Sequence, residues 1–219
     1  TIVFKNGTIN NESALMLIQN YCDLTLQNMV IDARNSQKNC QYALSNNNGS
    51  LNITGNTSVY AQKGGFAFDV YACFQSYEKV NVTVDTTGEI VGNIEIAKST
   101  GNADETKSSL TIKNVKLDGE IAKAGANDIK VAVSGGTFTE VFDRAFLADG
   151  CSLVGGETTG YKVVSATSDA KVELTADKAD INANDEVNVT VKVSDIAKYA
   201  GLEAFVNYDS SVYTYIDST

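Results

Sequence analysis

The chain has no proline, no histidine and no tryptophan, and only four cysteines. Each absence excludes something. Without histidine there is no imidazole base, no Ser–His or Cys–His pair and no His-ligated zinc. Without proline no backbone donor is missing, which suits a ladder in which nearly every N–H is paired, and a sortase-type anchor motif, which needs proline, is absent from these residues. The cysteines are Cys22, Cys40, Cys73 and Cys151. None are spaced C-x-x-C, so a zinc or redox motif is not indicated, and spacing does not choose among their three full pairings. They are expected as four separate buried thiols acting as small hydrophobes.

Positive charge is scarce too. With 17 basic against 27 acidic residues and a net charge of −10, and no Lys/Arg cluster, the chain repels phosphate backbones and anionic bilayers. Nucleic acid is not expected as a partner. The apolar run Ala14-Leu15-Met16-Leu17-Ile18 is far short of the roughly 20 residues a bilayer span needs. It also lacks the basic leader and cleavage site of a signal peptide. No membrane insertion is expected within this chain, and an export signal or wall anchor is expected outside it.

What is present is a packed-core composition, 43% hydrophobic and 20% charged, and a repeat. Runs of alternating apolar residues begin at Ile2, Leu24, Leu51, Val80, Leu110 and Val131. Intervals of about 20 to 30 residues correspond to one solenoid coil each. A single unit cannot bury its apolar face, but stacking the units does so. Asn6, Asn28, Gly55, Asn114 and Gly135 stand at the corners, where left-handed backbone is needed, and the asparagines are placed to hydrogen-bond along the axis. The polar stretches Asp32 to Asn39, Ser45 to Ser50 and Lys98 to Ser109 read as connections, with about one helical turn near Glu140 to Ala148. The repeat is already running at Ile2, so the start is expected to cut through a longer solenoid.

The fold class expected is all-β: a right-handed parallel β-helix followed by a partial β-sandwich. The phrases Phe4-Lys5-Asn6-Gly7-Thr8-Ile9 and Leu24-Thr25-Leu26-Gln27-Asn28-Met29-x-Ile31-Asp32 resemble the pectate-lyase-like β-helix superfamily, a fold that hosts lyases, hydrolases and adhesins alike. Phe142 to Val164 departs from the repeat and reads as a cap, a short helix and then a hairpin turning at Gly155-Gly156-Glu157. It is similar to segments that close leucine-rich or β-helical regions in surface proteins of low-GC gut bacteria. The first domain is therefore 1–165.

The second domain is 166–219. After the linker Ser165 to Ala170, the alternating runs Val187-Asn-Val-Thr-Val-Lys-Val193 and Leu202-Glu-Ala-Phe-Val-Asn-Tyr-Asp209, with Asn184-Asp185-Glu186 before the first, resemble the opening of a cohesin-type module or a related carbohydrate-binding sandwich. The resemblance implies an incomplete domain, because such folds take roughly 130–150 residues.

Candidate sites are few. Aromatic residues stack on sugar rings, and the densest aromatic stretch supplies Tyr60, Phe66, Tyr71, Phe74 and Tyr77 as ligand-binding candidates, with Phe68 beside them. Half of the alternating run Phe66 to Tyr71 is expected in the core. Asp32 with Arg34 would be the carboxylate and base of a lyase, although a solvated ion pair explains them as well. Asp85, Glu89 and Glu95 would have to face one another to serve as glycosidase carboxylates. Asp177, Asp180, Asp185 and Glu186 offer the oxygen ligands calcium prefers, without the loop motif that usually holds it. No other cofactor is indicated.

The function expected is that of a non-enzymatic, extracellular adhesin-like or stalk protein of a bacterial surface, binding a glycan or another surface protein. The alternatives are a fragment of a carbohydrate-active enzyme, and a cellulosome-type scaffold component that recruits a partner through its cohesin-like module.

Overall fold

The computed structural model describes residues 1–71, 79–98, 104–124, 128–165, 171–194, 209, 211–214 and 216. Its strands fall into successive coils. The first holds β1 (Ile2–Lys5), β2 (Thr8–Asn10) and β3 (Met16–Asn20). The second repeats the three as β4 (Leu24–Gln27), β5 (Val30–Asp32) and β6 (Tyr42–Asn46). The third has β7 (Gly49–Gly55), β8 (Ser58–Tyr60) and β9 (Phe66–Val70). Next come β10 (Val80–Val91) and β11 (Asn93–Ala97), then β12 (Ser109–Asp118) and β13 (Ile121–Ala124), then β14 (Lys130–Val133) and β15 (Gly136–Phe138).

Each strand pairs in parallel with its equivalent one coil away. Ile2, Leu24, Leu51, Val82, Leu110 and Val131 form one continuous column. The solenoid expected from the repeat is thus the fold, with one register corrected: Leu51 pairs with Val82, not with Val80 at the start of its strand. The coils also contain a second parallel sheet, in the order β13-β11-β9-β6-β3. Its strand β6 takes in Ser45 and Asn46, and Gly49 and Ser50 already belong to β7, so most of the supposed connection from Ser45 to Ser50 is strand.

The core lies between the sheets, where apolar residues of equivalent strands stack. Leu26, Ile53, Leu44, Phe68, Ile94, Ile96, Leu110 and Ile112 are fully buried. Near-continuous burial of aliphatic columns is the main stabilising term in such a stack, at roughly 25 cal/mol per Å² of apolar surface.

Corners need particular backbones. Asn6, Asn28 and Gly55 occupy one corner with φ of 55°, 54° and 69°, which Asn tolerates and Gly adopts freely. Asn28 Nδ2 donates to Asn6 Oδ1 at 3.1 Å, and the backbone N–H of Asn56 donates to Asn28 Oδ1 at 3.2 Å. The asparagines do hydrogen-bond along the axis. At the later coils the expectation changes. Asn114 lies within β12 with ordinary backbone, and the left-handed position is Gly136, not Gly135.

Beside this corner, buried threonines replace asparagines. Thr57 Oγ1 donates to Thr54 O at 2.7 Å and accepts from Met29 N–H at 3.2 Å. Thr86 Oγ1 repeats the motif, donating to Thr57 O at 2.8 Å and accepting from Gly88 N–H at 3.0 Å. Thr57 is fully buried. Thr57→Val keeps the shape but strands the Met29 amide, and a buried unsatisfied donor costs about 1–3 kcal/mol. Urea unfolding is expected to show that loss; a loss below ~0.5 kcal/mol would mean that another acceptor reaches Met29.

The repeat ends in the cap. A 3₁₀ turn at Arg144–Phe146 buries Phe146, and Phe142 packs edge-on against Phe138 with centroids 4.8 Å apart. Then β16 (Cys151–Gly156) and β17 (Gly160–Ser165) form an antiparallel hairpin, with β17 pairing antiparallel to β15. The turn follows Gly156, which pairs with Gly160; Gly155 and Gly156 are strand residues, so the turn lies later than the sequence pattern indicates.

A separate two-stranded antiparallel sheet follows, β18 (Lys171–Ala176) with β19 (Val189–Ser194). Leu202 to Tyr208, read as a further strand, lie outside the described residues, as do the linker residues 166–170. Of the cysteines, Cys40 is buried, Cys151 half-buried and Cys22 exposed, all three as free thiols. The expectation of buried thiols therefore fails at Cys22, which sits at the open first turn, and Cys73 lies outside the described residues.

Candidate functional site

The second sheet carries the chemistry. Along β9, Phe68 and Val70 are buried among core residues, so by alternation the Asp69 side chain takes the opposite face. A register shift pairs the adjacent Asn93 and Ile94 with Phe66 and Phe68, which breaks the alternation at the buried Ala67 and leaves Phe66 half-buried. One coil on, Glu95 stands in register with Asp69, between the inward Ile94 and Ile96. Equivalent positions on neighbouring strands are ~4.8 Å apart, so the two carboxylates are adjacent.

Asp69 is only 4% exposed. Its Oδ2 accepts from Ser45 Oγ at 3.1 Å, and its Oδ1 accepts from the Asn46 backbone N–H. The Asn46 side chain donates to Asp69 O at 2.9 Å and accepts from Asn20 Nδ2 at 3.3 Å, which ties three coils together at this edge. Burial drives the Asp69 carboxyl up to about 7, against the two hydrogen bonds that favour its ionised form, and the Glu95 charge adds to the rise.

Aromatic rings flank the pair. Tyr42 and Phe66, in register on β6 and β9, stack at 5.1 Å between centroids and 19° between planes. The Tyr42 hydroxyl donates to Glu95 Oε2 at 2.5 Å. Burial holds the Tyr42 phenol well above its ordinary range, and the bond to Glu95 adds to it. Tyr71 directly follows β9 and is half-buried. The half-buried surface is a shelf of the two stacked rings and the Glu95 carboxyl, with Asp69 and Asn46 buried beneath it. The shelf can pack the apolar face of a ring, and Glu95 can accept a hydroxyl hydrogen.

Of the residues picked from sequence, Phe66 and Tyr71 are at this shelf. Phe68 is core, as expected for half of that run. Tyr60 is not part of the shelf: it lies on β8 of the other sheet, in register with Asp32, with the Arg34 guanidinium 3.9 Å from its ring centroid. One ring face is therefore already occupied by a cation. Phe74 and Tyr77 lie outside the described residues.

Arg34 folds back on Asp32 at 2.6 Å, and that bond lowers the Asp32 carboxyl below its usual range. The pair is a closed turn with the ring as its roof, an arrangement that gives no free base. Glu89, on the first sheet, is bound to Lys116 at 2.6 Å, and Asp85 shares its strand. Neither faces Glu95 as a partner; Asp69 does.

In the segment between β18 and β19, Asp177 accepts from the Asn188 backbone and side chain at 2.9 and 2.8 Å, and Asp185 accepts from the Asn182 N–H at 3.0 Å. These bonds keep the loop in shape. Among the described residues no three acids, cysteines or histidines come together as a metal site, and Asp180 and Glu186 are not gathered with Asp177 and Asp185.

Tyr42 and Asp69 escaped the sequence reading. Tyr42 is far from Phe66 in sequence and next to it only through coil stacking. Asp69 sat inside an apolar alternation, and a carboxylate in a core-like run was itself the available signal. No helix among the described residues is long and apolar enough to cross a membrane. Comparison with protein-family models, with curated proteins and with solved structures gives no match for this chain.

Proposed function

We propose that this chain is a rigid, non-catalytic β-helical module of an extracellular or surface-displayed protein, and that it holds a glycan on the outer face of its second sheet. The observation behind this reading is the Tyr42–Phe66 stack set against Asp69 and Glu95. Sugars present apolar C–H faces and a rim of hydroxyls, and such a shelf meets both. Within the same reading the solenoid is of the pectate-lyase-like kind. The β18–β19 sheet opens a cohesin-like or carbohydrate-binding-like sandwich. Its support is a one-sided apolar face, with Val172, Leu174 and Ala176 opposite Val193, Val191 and Val189.

The test is a glycan array with the full chain, with and without calcium. Binding is expected, falling at least roughly tenfold in Phe66→Ala, a loss of ~1.4 kcal/mol, and also in Glu95→Gln. Absence of binding to every glycan would reject the reading in favour of a passive stalk.

The carboxylate pair favours a second reading, a carbohydrate-active enzyme. Glycosidases separate acid and base roles between two carboxyls whose environments differ, and Asp69 is perturbed strongly. Release of reducing ends from a polysaccharide panel, abolished by Glu95→Gln, would favour it over simple binding.

A further inference from the structure

Two carboxyls stand side by side at the ring shelf without a cation between them. Asp69 on β9 and Glu95 on β11 are in register, and among the described residues neither forms an ion pair. Asp69 is enclosed, whereas Glu95 is half-buried at the surface. Tyr42, on β6, reaches across β9 to donate to Glu95. Its phenol therefore spans the strand that carries Asp69.

The titratable groups around Asp69 are Glu95 from β11, Tyr42 from β6, and Tyr71 two residues along its own chain. The core side of β9, which faces the other sheet, carries Phe68 and Val70 instead. Like charges this close repel, and the repulsion grows as the medium between them loses water. A saccharide lying on Tyr42 and Phe66 takes water from Glu95 and supplies no cation. The simplest relief is a proton on Asp69, whose carboxyl burial has already raised to about 7. That proton has an acceptor in place. Ser45 Oγ, which donates to Asp69 Oδ2 at 3.1 Å, can turn its hydrogen away and accept instead.

We propose that a neutral saccharide binds this shelf together with a proton taken up at the Asp69–Glu95 pair, so that the shelf releases it as pH rises. The inference rests on the glycan reading above. Its sign follows from linkage. If the bound chain holds the proton more tightly than the free chain, affinity is highest where both are protonated. It then falls as pH rises through the free and next the bound titration. One proton limits the slope to about tenfold per pH unit. A neutral saccharide is the informative case, because a net charge of −10 gives an anionic one a pH dependence unrelated to this pair.

The full chain is titrated calorimetrically with cellotetraose, xylotetraose and mannotetraose between pH 6 and pH 8, in two buffers that differ in heat of ionisation. Binding is expected to weaken roughly fivefold across that range, and the difference in heat between the buffers is expected to report net proton uptake. Asp69→Asn has no proton to exchange, so its Kd is expected to stay the same throughout the range. A merely structural role for Asp69 would shift the affinity at every pH and leave the profile in place. An affinity that does not change with pH, proton release on binding, or a slope that persists in Asp69→Asn overturns the proposal and leaves the glycan reading standing. Absence of binding by all three saccharides at pH 6, where affinity should be greatest, also overturns it, and the glycan array then decides the reading itself.

Discussion

Replacing Asp69 by Asn is expected to stabilise the solenoid at pH 8 by an amount on the order of 3 kcal/mol and to leave it nearly unchanged at pH 4. The folded-state pKa of Asp69 is about 7, raised from 3.8 by burial. Between these two values the folded chain holds a proton that the unfolded chain releases, so stability falls as pH rises through that window. It is flat below about 4 and again above about 7. Asn keeps an acceptor for the Asn46 amide and an amide that can donate to Ser45 Oγ, but carries no charge to desolvate. The acids whose pKa values lie low, such as Asp32 and Asp177, add the opposite slope only below about pH 4, and they do so in both proteins. The measurement is urea unfolding of the two proteins from pH 4 to 8. Parallel pH profiles would show that Asp69 does not titrate in this window. A chain that retains a destabilising buried acid beside a second carboxylate carries a feature with the mark of a functional position.

The second large effect separates two residues of the same type. Phe68→Ala is expected to cost about 3–5 kcal/mol, because it empties a fully enclosed place between Leu44 and Ile94. Phe66→Ala, two positions away, loses mainly the stack on Tyr42, about 0.5–1.5 kcal/mol. Equal losses in thermal or urea unfolding would show that the inward and outward assignments along β9 are wrong. The small cost expected for Phe66→Ala also keeps it usable in the glycan test.

The first sheet was legible because its strands obey the two signals a sequence displays, period-two alternation and Asn or Gly at the bends. Ile2, Leu24 and Leu51 begin runs that fit both. The second sheet hid because its strands contain Ser45, Asn46 and Asp69. Such residues mark turns when their side chains bond locally, but here they are satisfied across coils. Asn20 to Asn46 and Ser45 to Asp69 are contacts between positions 26 and 24 residues apart, a distance at which polarity alone says nothing. The site suffered the same way. Phe66 and Tyr71 stood out in an aromatic run, yet their neighbours Tyr42 and Glu95 arrive from the coils on either side. Asn114 failed for a subtler reason: β12 runs straight through the place where earlier coils bend, so an asparagine there can donate to Thr86 O at 2.9 Å without a left-handed backbone.

The hairpin that closes the first sheet has one more effect. Chain direction is the same from β1 to β15 and reverses at β17. Strand β15 pairs in parallel with β12 on one side and antiparallel with β17 on the other, so the lattice changes there from evenly spaced, slanted bonds to alternating close and wide pairs. The cap is thus a change of pairing rule within one sheet, carried by two strands of six residues each.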